Sequence, residues 1–96
     1  MLTLPIKGKW YDMILSGEKE EEYRADTPYY AARFAKYEKK MVRVRLRNGY
    51  RADSRTMEVV VVPMRRKGAR PEWGGNPEKV CWVLEIQEVQ EVVEHG

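Results

Sequence analysis

The run Met57 to Met64 holds four consecutive valines, Val59 to Val62, and is the most apolar stretch of the chain. Branching at Cβ favours extended backbone. The run therefore predicts a strand covered on both faces, and such a strand needs neighbours on either side. With 96 residues in all, the sheet built around it must be small. Domains typically run to about 100 to 150 residues, so residues 1–96 make one domain. A chain of this length buries only about 60 to 65% of its unfolded surface. Its core has to be assembled from few side chains, with no interior left for an embedded cofactor, and none is expected.

The neighbours of that strand can be read from alternation and punctuation. Leu2, Leu4 and Ile6 alternate with Thr3 and Pro5, a short first strand with proline at an edge position. Trp10, Met13 and Ile14 fall at helical spacing, and Gly17 stands where a C-cap glycine would, so Lys9 to Ser16 is a short amphipathic helix. Glu20 to Arg24 is expected to be extended, with Glu22 and Arg24 on one face and Glu21 and Tyr23 on the other. Thr27 before Pro28 is an N-cap followed by proline in the first turn. The second helix, Pro28 to Tyr37, sets Tyr30, Phe34 and Tyr37 on one side. Met41 to Leu46 alternates Val42, Val44 and Leu46 with basic residues, and Asn48-Gly49 signals a turn. Gly68 to Pro77, rich in glycine and proline around Trp73, is a loop. Val80 to Ile86 starts a last strand that extends toward Val93. Five strands and two short helices in so short a chain predict a closed or nearly closed sheet, since closure removes exposed edges.

Composition narrows the function classes. A chain that is 43% hydrophobic and 34% charged suits a folded protein rather than a disordered tail. Cys81 is the one cysteine and His95 the one histidine. They allow no internal disulfide and no Cys/His metal cluster, so no metal is expected. Without disulfides a domain this small fits a reducing, cytoplasmic compartment. No apolar run approaches the roughly 20 residues that span a bilayer, and no signal-peptide core opens the chain. The net charge of +3 hides a segregation of signs. Arg33, Lys36, Lys39, Lys40, Arg43, Arg45, Arg47 and Arg51 share a stretch with one acid, Glu38, and Arg65, Arg66, Lys67 and Arg70 form a second cluster. Acids gather at Glu18 to Glu22 and at Glu85, Glu88, Glu91 and Glu94. A positive face of this kind attracts a polyanion, although solvated strand flanks are the plainer explanation. The excess is too small for tight nonspecific binding to duplex nucleic acid, which needs several phosphate contacts at once.

One segment carries specific chemistry: Gly17-Glu18-Lys19-Glu20-Glu21-Glu22-Tyr23-Arg24, of the form G-x-K-x-x-E-x-R. Gly17 lets the chain reverse after the helix. Lys19 emerges near the helix end, while Glu22 and Arg24 leave the same side of the strand. Together an ammonium, a carboxylate and a guanidinium can hold a phosphate or the polar edge of a base. The alternative is an ion-pair set that ties the helix turn to the sheet. With Ile6-Lys7-x-x-Trp10-x-x-x-Ile14 before it, the segment resembles the ASCH domain, a relative of the PUA domain of RNA-modifying enzymes. Glu22-Tyr23-Arg24, Pro28-Tyr29, Arg33, Arg47-Asn48-Gly49-Tyr50 and Pro71-Glu72-Trp73-Gly74, in that order, look like a small stand-alone branch common in bacteria and their phages. The resemblance implies an α+β fold, a small PUA-like and mainly antiparallel β-barrel of about five strands with two short helices. It also implies a cleft beside the first helix that binds RNA, nucleotides or nucleosides.

One ASCH branch hydrolyses an acetylated cytidine with a lysine, a threonine and a glutamate. Lys19 matches the lysine, but the threonine position is Glu22 and the third residue has no counterpart, so that mechanism does not transfer. A nuclease branch offers no constellation that maps onto this chain.

The expected ligand residues are Lys19, Glu22, Arg24, Tyr29, Arg33, Arg47, Asn48, Tyr50 and Trp73. Tyr29 and Arg33 share a helix face, as a stacking surface and a phosphate contact. Turn chemistry alone would also explain Asn48, and Trp73 could cap the core as well as stack on a base. Three classes of function follow: a binding module for RNA or nucleotides; an enzyme on a modified nucleoside or RNA with Lys19 and Glu22 as acid and base; or a domain whose basic face meets an acidic protein partner. Oligomeric state is open.

Overall fold

A computed structural model describes residues 1–92 of the chain. The expected extension of the last strand to Val93, the acid Glu94 and the terminal His95 lie outside the described residues. Alternation at the start produces β1 (Thr3–Ile6), and α1 (Gly8–Leu15) follows, burying Tyr11 and Ile14. Gly17 ends the helix turn with φ +87°. Its N–H donates to the Ile14 carbonyl at 3.1 Å, and the Lys19 N–H donates to that of Met13 at 2.9 Å. Left-handed backbone costs a side chain roughly 1 to 2 kcal/mol, which is why glycine stands there. The chain then enters β2 (Glu21–Ala25).

Thr27 caps α2 (Pro28–Phe34), its Oγ1 accepting from the Tyr30 N–H at 3.3 Å, with Pro28 in the first turn. The helix expected to run to Tyr37 ends at Phe34 and tightens into a 3₁₀ turn, Ala35–Tyr37. Three longer strands complete the fold: β3 (Val42–Asn48), β4 (Thr56–Arg66) and β5 (Cys81–Glu91). The Gly68–Pro77 loop contains a single 3₁₀ turn, Pro71–Trp73, and its ends meet where the Gly68 N–H donates to the Pro77 carbonyl.

The strands form one sheet in the order β1-β3-β4-β5-β2. β1 runs parallel to β3; the β3–β4, β4–β5 and β5–β2 pairs are antiparallel. The result is an α+β fold, a mixed and strongly curled half-barrel of five strands with two short helices, the small barrel-like architecture expected. Part of the curl comes from a bulge: pairing steps from Val60–Glu88 to Val61–Ile86, leaving Gln87 extra, and a bulge sharpens local twist. The strand ladder does not close. β1 and β2 are the two edges, and a side chain spans the seam between them, Arg24 Nη2 donating to the Pro5 carbonyl at 2.9 Å.

Inside the curl lie Leu4, Ile6, Val44, Leu46, Met57, Val59, Val61, Trp82 and Leu84, met by Tyr11 and Ile14 from α1 and Phe34 from α2. Trp82 is fully buried as its periodicity predicts, while Trp10 packs on the core and stays half-buried. Two expectations need correction. Val59 to Val62 is not covered on both faces: Val59 and Val61 are buried, but Val60 and Val62 are half-buried, because only the concave side meets the core. β3 also outruns Leu46. Asn48 still pairs with Ile6 and donates its N–H to the Arg55 carbonyl, so the reversal starts at Gly49.

Candidate functional site

Strand alternation divides the acidic stretch as expected. Glu21 accepts from the Tyr23 hydroxyl at 2.7 Å on one face, and Glu22 accepts from Arg24 Nη2 at 2.8 Å on the other. Glu22 is also the hub of the motif, with Lys19 Nζ 3.3 Å from its Oε1 and Arg24 on its Oε2. The three groups expected to converge do converge.

What surrounds them decides their chemistry. Lys19 is only 1% exposed. Its Nζ donates to the Trp73 carbonyl at 2.8 Å and lies 5.2 Å from the Trp10 ring centroid and 4.7 Å from that of Tyr23. Burial pushes its pKa down from the ordinary 10.5, with Glu22 pulling it back. Glu22 is buried too. Lys19 and Glu22 therefore tie the turn after α1 to the Gly68–Pro77 loop and the sheet, in the ion-pair arrangement that was the alternative to a ligand site. Arg24 reaches further: besides Pro5 and Glu22 it donates from Nη1 to the Tyr30 hydroxyl at 3.3 Å.

Trp73 is 9% exposed, with the Arg70 guanidinium 4.7 Å from its ring centroid. Here the loop packs close enough to α1 that a Cβ on Gly74 would stand 2.9 Å from the Trp10 ring. Trp73 caps the fold from outside and supplies Lys19 with a carbonyl.

Beyond this knot the structure opens a depression of about 570 Å³, bordered by Tyr23 and Arg24 of the motif and by Gly75, Asn76, Lys79 and Cys81. Arg24 is the member of the trio that lines it. Burial raises the pKa of the Cys81 thiol, which keeps it a poor nucleophile. Among the described residues no three His, Cys, Asp or Glu side chains gather as a metal would require.

The remaining expected residues fall into two groups. Tyr29 is 54% exposed, and the Arg33 guanidinium stacks 3.4 Å from its ring centroid while Nη1 donates to the Tyr29 carbonyl at 2.8 Å. Tyr30, edge-on to Tyr29 at 5.0 Å, links this pair to Arg24. Arg47 and Asn48 lie at the end of β3 and Tyr50 in the turn after it; none of them lines the depression beside Arg24, and Tyr50 is 88% exposed. Sequence reasoning missed Asn76 and Lys79, which sit in a loop without periodicity. It passed over Tyr23, whose place on the opposite strand face was legible.

No protein family matches the chain, and neither curated proteins nor solved structures provide a match. Among the described residues no helix is long and apolar enough to cross a membrane.

Proposed function

We propose that the protein is a small RNA- or nucleotide-binding module of the ASCH, PUA-like type, cytoplasmic, which takes an unpaired base or a phosphate beside its G-x-K-x-x-E-x-R segment. The observation that carries this reading is the depression that Arg24 shares with Asn76 and Lys79. Lys79 offers the phosphate contact, since Arg24 is engaged by Glu22, Pro5 and Tyr30. The Asp26 carboxylate that also lines the depression is paired with Arg65. Asn76, whose Oδ1 accepts from the Glu78 N–H, offers its amide N–H to a base edge. Unpaired bases are legible because their edges and faces are free. Lys19 and Glu22 support this depression from behind, fixing the loop that forms one wall.

A thermal-shift series with nucleosides, mononucleotides and short single strands tests the reading. Binding raises apparent stability by RT ln(1 + [L]/Kd), about 2.7 kcal/mol at a hundredfold excess over Kd. Lys79→Glu should weaken binding about tenfold, roughly 1.4 kcal/mol, with unchanged melting of the free protein. Asn76→Ala also removes the hydrogen bond from the Glu78 N–H and should lower both binding and melting. The reading fails if none of these ligands shifts melting at millimolar concentration.

One observation favours catalysis instead, the lowered pKa of Lys19 beside Glu22, since perturbed groups are enriched at active sites. Turnover of a modified nucleoside, lost in both Lys19→Ala and Glu22→Ala with folding intact, would establish it.

A further inference from the structure

β3 carries a second, independent feature. Its inward residues Val44 and Leu46 are buried, so Arg43, Arg45 and Arg47 all leave its outer face. Alternate residues of a strand stand about 6.6 to 6.8 Å apart, comparable with the step between successive phosphates of an extended single strand. Their charge is only partly compensated. Glu58 lies 3.8 Å from Arg43 and 3.3 Å from Arg45, one carboxylate shared by two guanidinium groups. Arg47 has no ion-pair partner among the described residues. The buried Nε atoms of Arg45 and Arg47 have no hydrogen-bond partner among them either. Those Nε atoms are shielded from solvent, so a phosphate on this face is met by the terminal Nη groups of the two side chains.

One member of the row, Arg43, also borders a cavity. Between the end of α2 and the start of β3 lies a hollow of about 290 Å³ whose lining includes Arg33, Lys36 and Arg43 over Phe34, Tyr37 and Val44. The lining holds no acidic residue, and Phe34 and Val44 form a buried apolar floor. Ligand pockets usually measure about 300 to 1,000 Å³, so this one has room for at most a single nucleotide. Arg43 belongs to both the row and the cavity rim.

We propose that the outer face of β3 is a phosphate track for an extended single-stranded nucleic acid: Arg43, Arg45 and Arg47 each engage one phosphate, and the α2–β3 cavity receives the terminal nucleotide. The proposal rests on the nucleic-acid reading above and adds the path and the length of strand engaged. A basic groove beside aromatic surface is how sequence-tolerant single-strand binders work, and the exposed Tyr29 ring, backed by Arg33, offers a stacking face at the cavity end of the track.

Fluorescence anisotropy of the full chain with 3′-labelled RNA dimer, tetramer and octamer, with and without a 5′-phosphate, tests it. The tetramer should bind about tenfold tighter than the dimer, with little further gain for the octamer. Free mononucleotide should compete for the cavity only weakly if the strand end is its proper occupant. The plot of log affinity against log salt should have a slope of about −2, since each single-strand phosphate contact contributes roughly −0.7. Arg43→Glu and Arg47→Glu should each weaken tetramer binding at least fivefold and flatten the slope, while Lys67→Glu changes neither. Should Arg47→Glu fail to fold, the exposed Arg43→Glu provides the same test. Loss of binding in Lys79→Glu with no effect of Arg43→Glu overturns the track and leaves the Arg24 depression as the site. Failure of every strand to bind overturns both. Capture of an acidic protein through Arg43 and Arg47, with no RNA bound, replaces the track with a protein interface.

Discussion

An ammonium with almost no contact with water is stable only while its partners stay in place, and Lys19 has two oxygens and two aromatic rings around it. Removing one member of a buried pair leaves the other uncompensated and typically costs about 3 to 5 kcal/mol. Because Glu22 keeps Arg24, Lys19→Met is expected to cost less than that, about 1.5 to 3 kcal/mol for the lost charged hydrogen bonds, in urea titrations at neutral pH. The wild type should also respond to alkali in a way the variant does not. Because the folded-state pKa of Lys19 lies below 10.5, the unfolded chain binds more protons in the window beneath that value. Stability from this group is thus complete above 10.5 and lost as pH falls through the folded pKa. Tyr11 acts in the opposite sense. Burial first, and the Glu91 carboxylate that accepts from its hydroxyl second, push its pKa from 10.0 up to about 12. Its contribution is complete below 10 and lost as pH rises toward 12, and Tyr11→Phe should remove that loss in alkaline melts. The convergence of Lys19, Glu22 and Arg24 was legible from their spacing. The enclosure of Lys19 was not, because the Trp73 carbonyl and loop that close it off come from 54 residues further along the chain.

At the level of helices and strands, local chemistry was the better guide. The Thr27-Pro28 start of α2 and the Gly17 stop after α1 were legible because each depends on a backbone geometry that few residues satisfy. Thr27→Ala should cost about 1 kcal/mol through loss of the cap, read from the midpoint of thermal or urea unfolding. Strand lengths were less legible. β3 continues past its apolar alternation because a neighbouring strand keeps bonding it, as Ile6 does for Asn48, whereas the run of β5 to Glu91 follows the expected extension. The pairing of strands was not legible, and so neither was the part Arg24 plays between the two edges. Its guanidinium joins β2 to the Pro5 carbonyl of β1 and to Tyr30 of α2. Hydrogen bonds to charged groups are worth about 1.5 to 3 kcal/mol each. Arg24→Ala should therefore speed amide exchange in both edge strands, while β4, held on both sides, stays protected.

For the molecule as a whole, segregated charge and a curled sheet combine to give one face two jobs. The convex side of β3 keeps the barrel wall and carries three arginines. The sheet order has a further consequence, for how such a chain comes into being. β1 waits for β3, and among the described residues β2 finds its only strand partner in β5, so a growing polypeptide leaving the ribosome cannot complete this sheet until β5 is out. Loop closure between such distant segments must precede any reward. A fragment ending at Pro77 should accordingly show no cooperative unfolding by circular dichroism, and folding should be all-or-none, with birth order and assembly order running against each other.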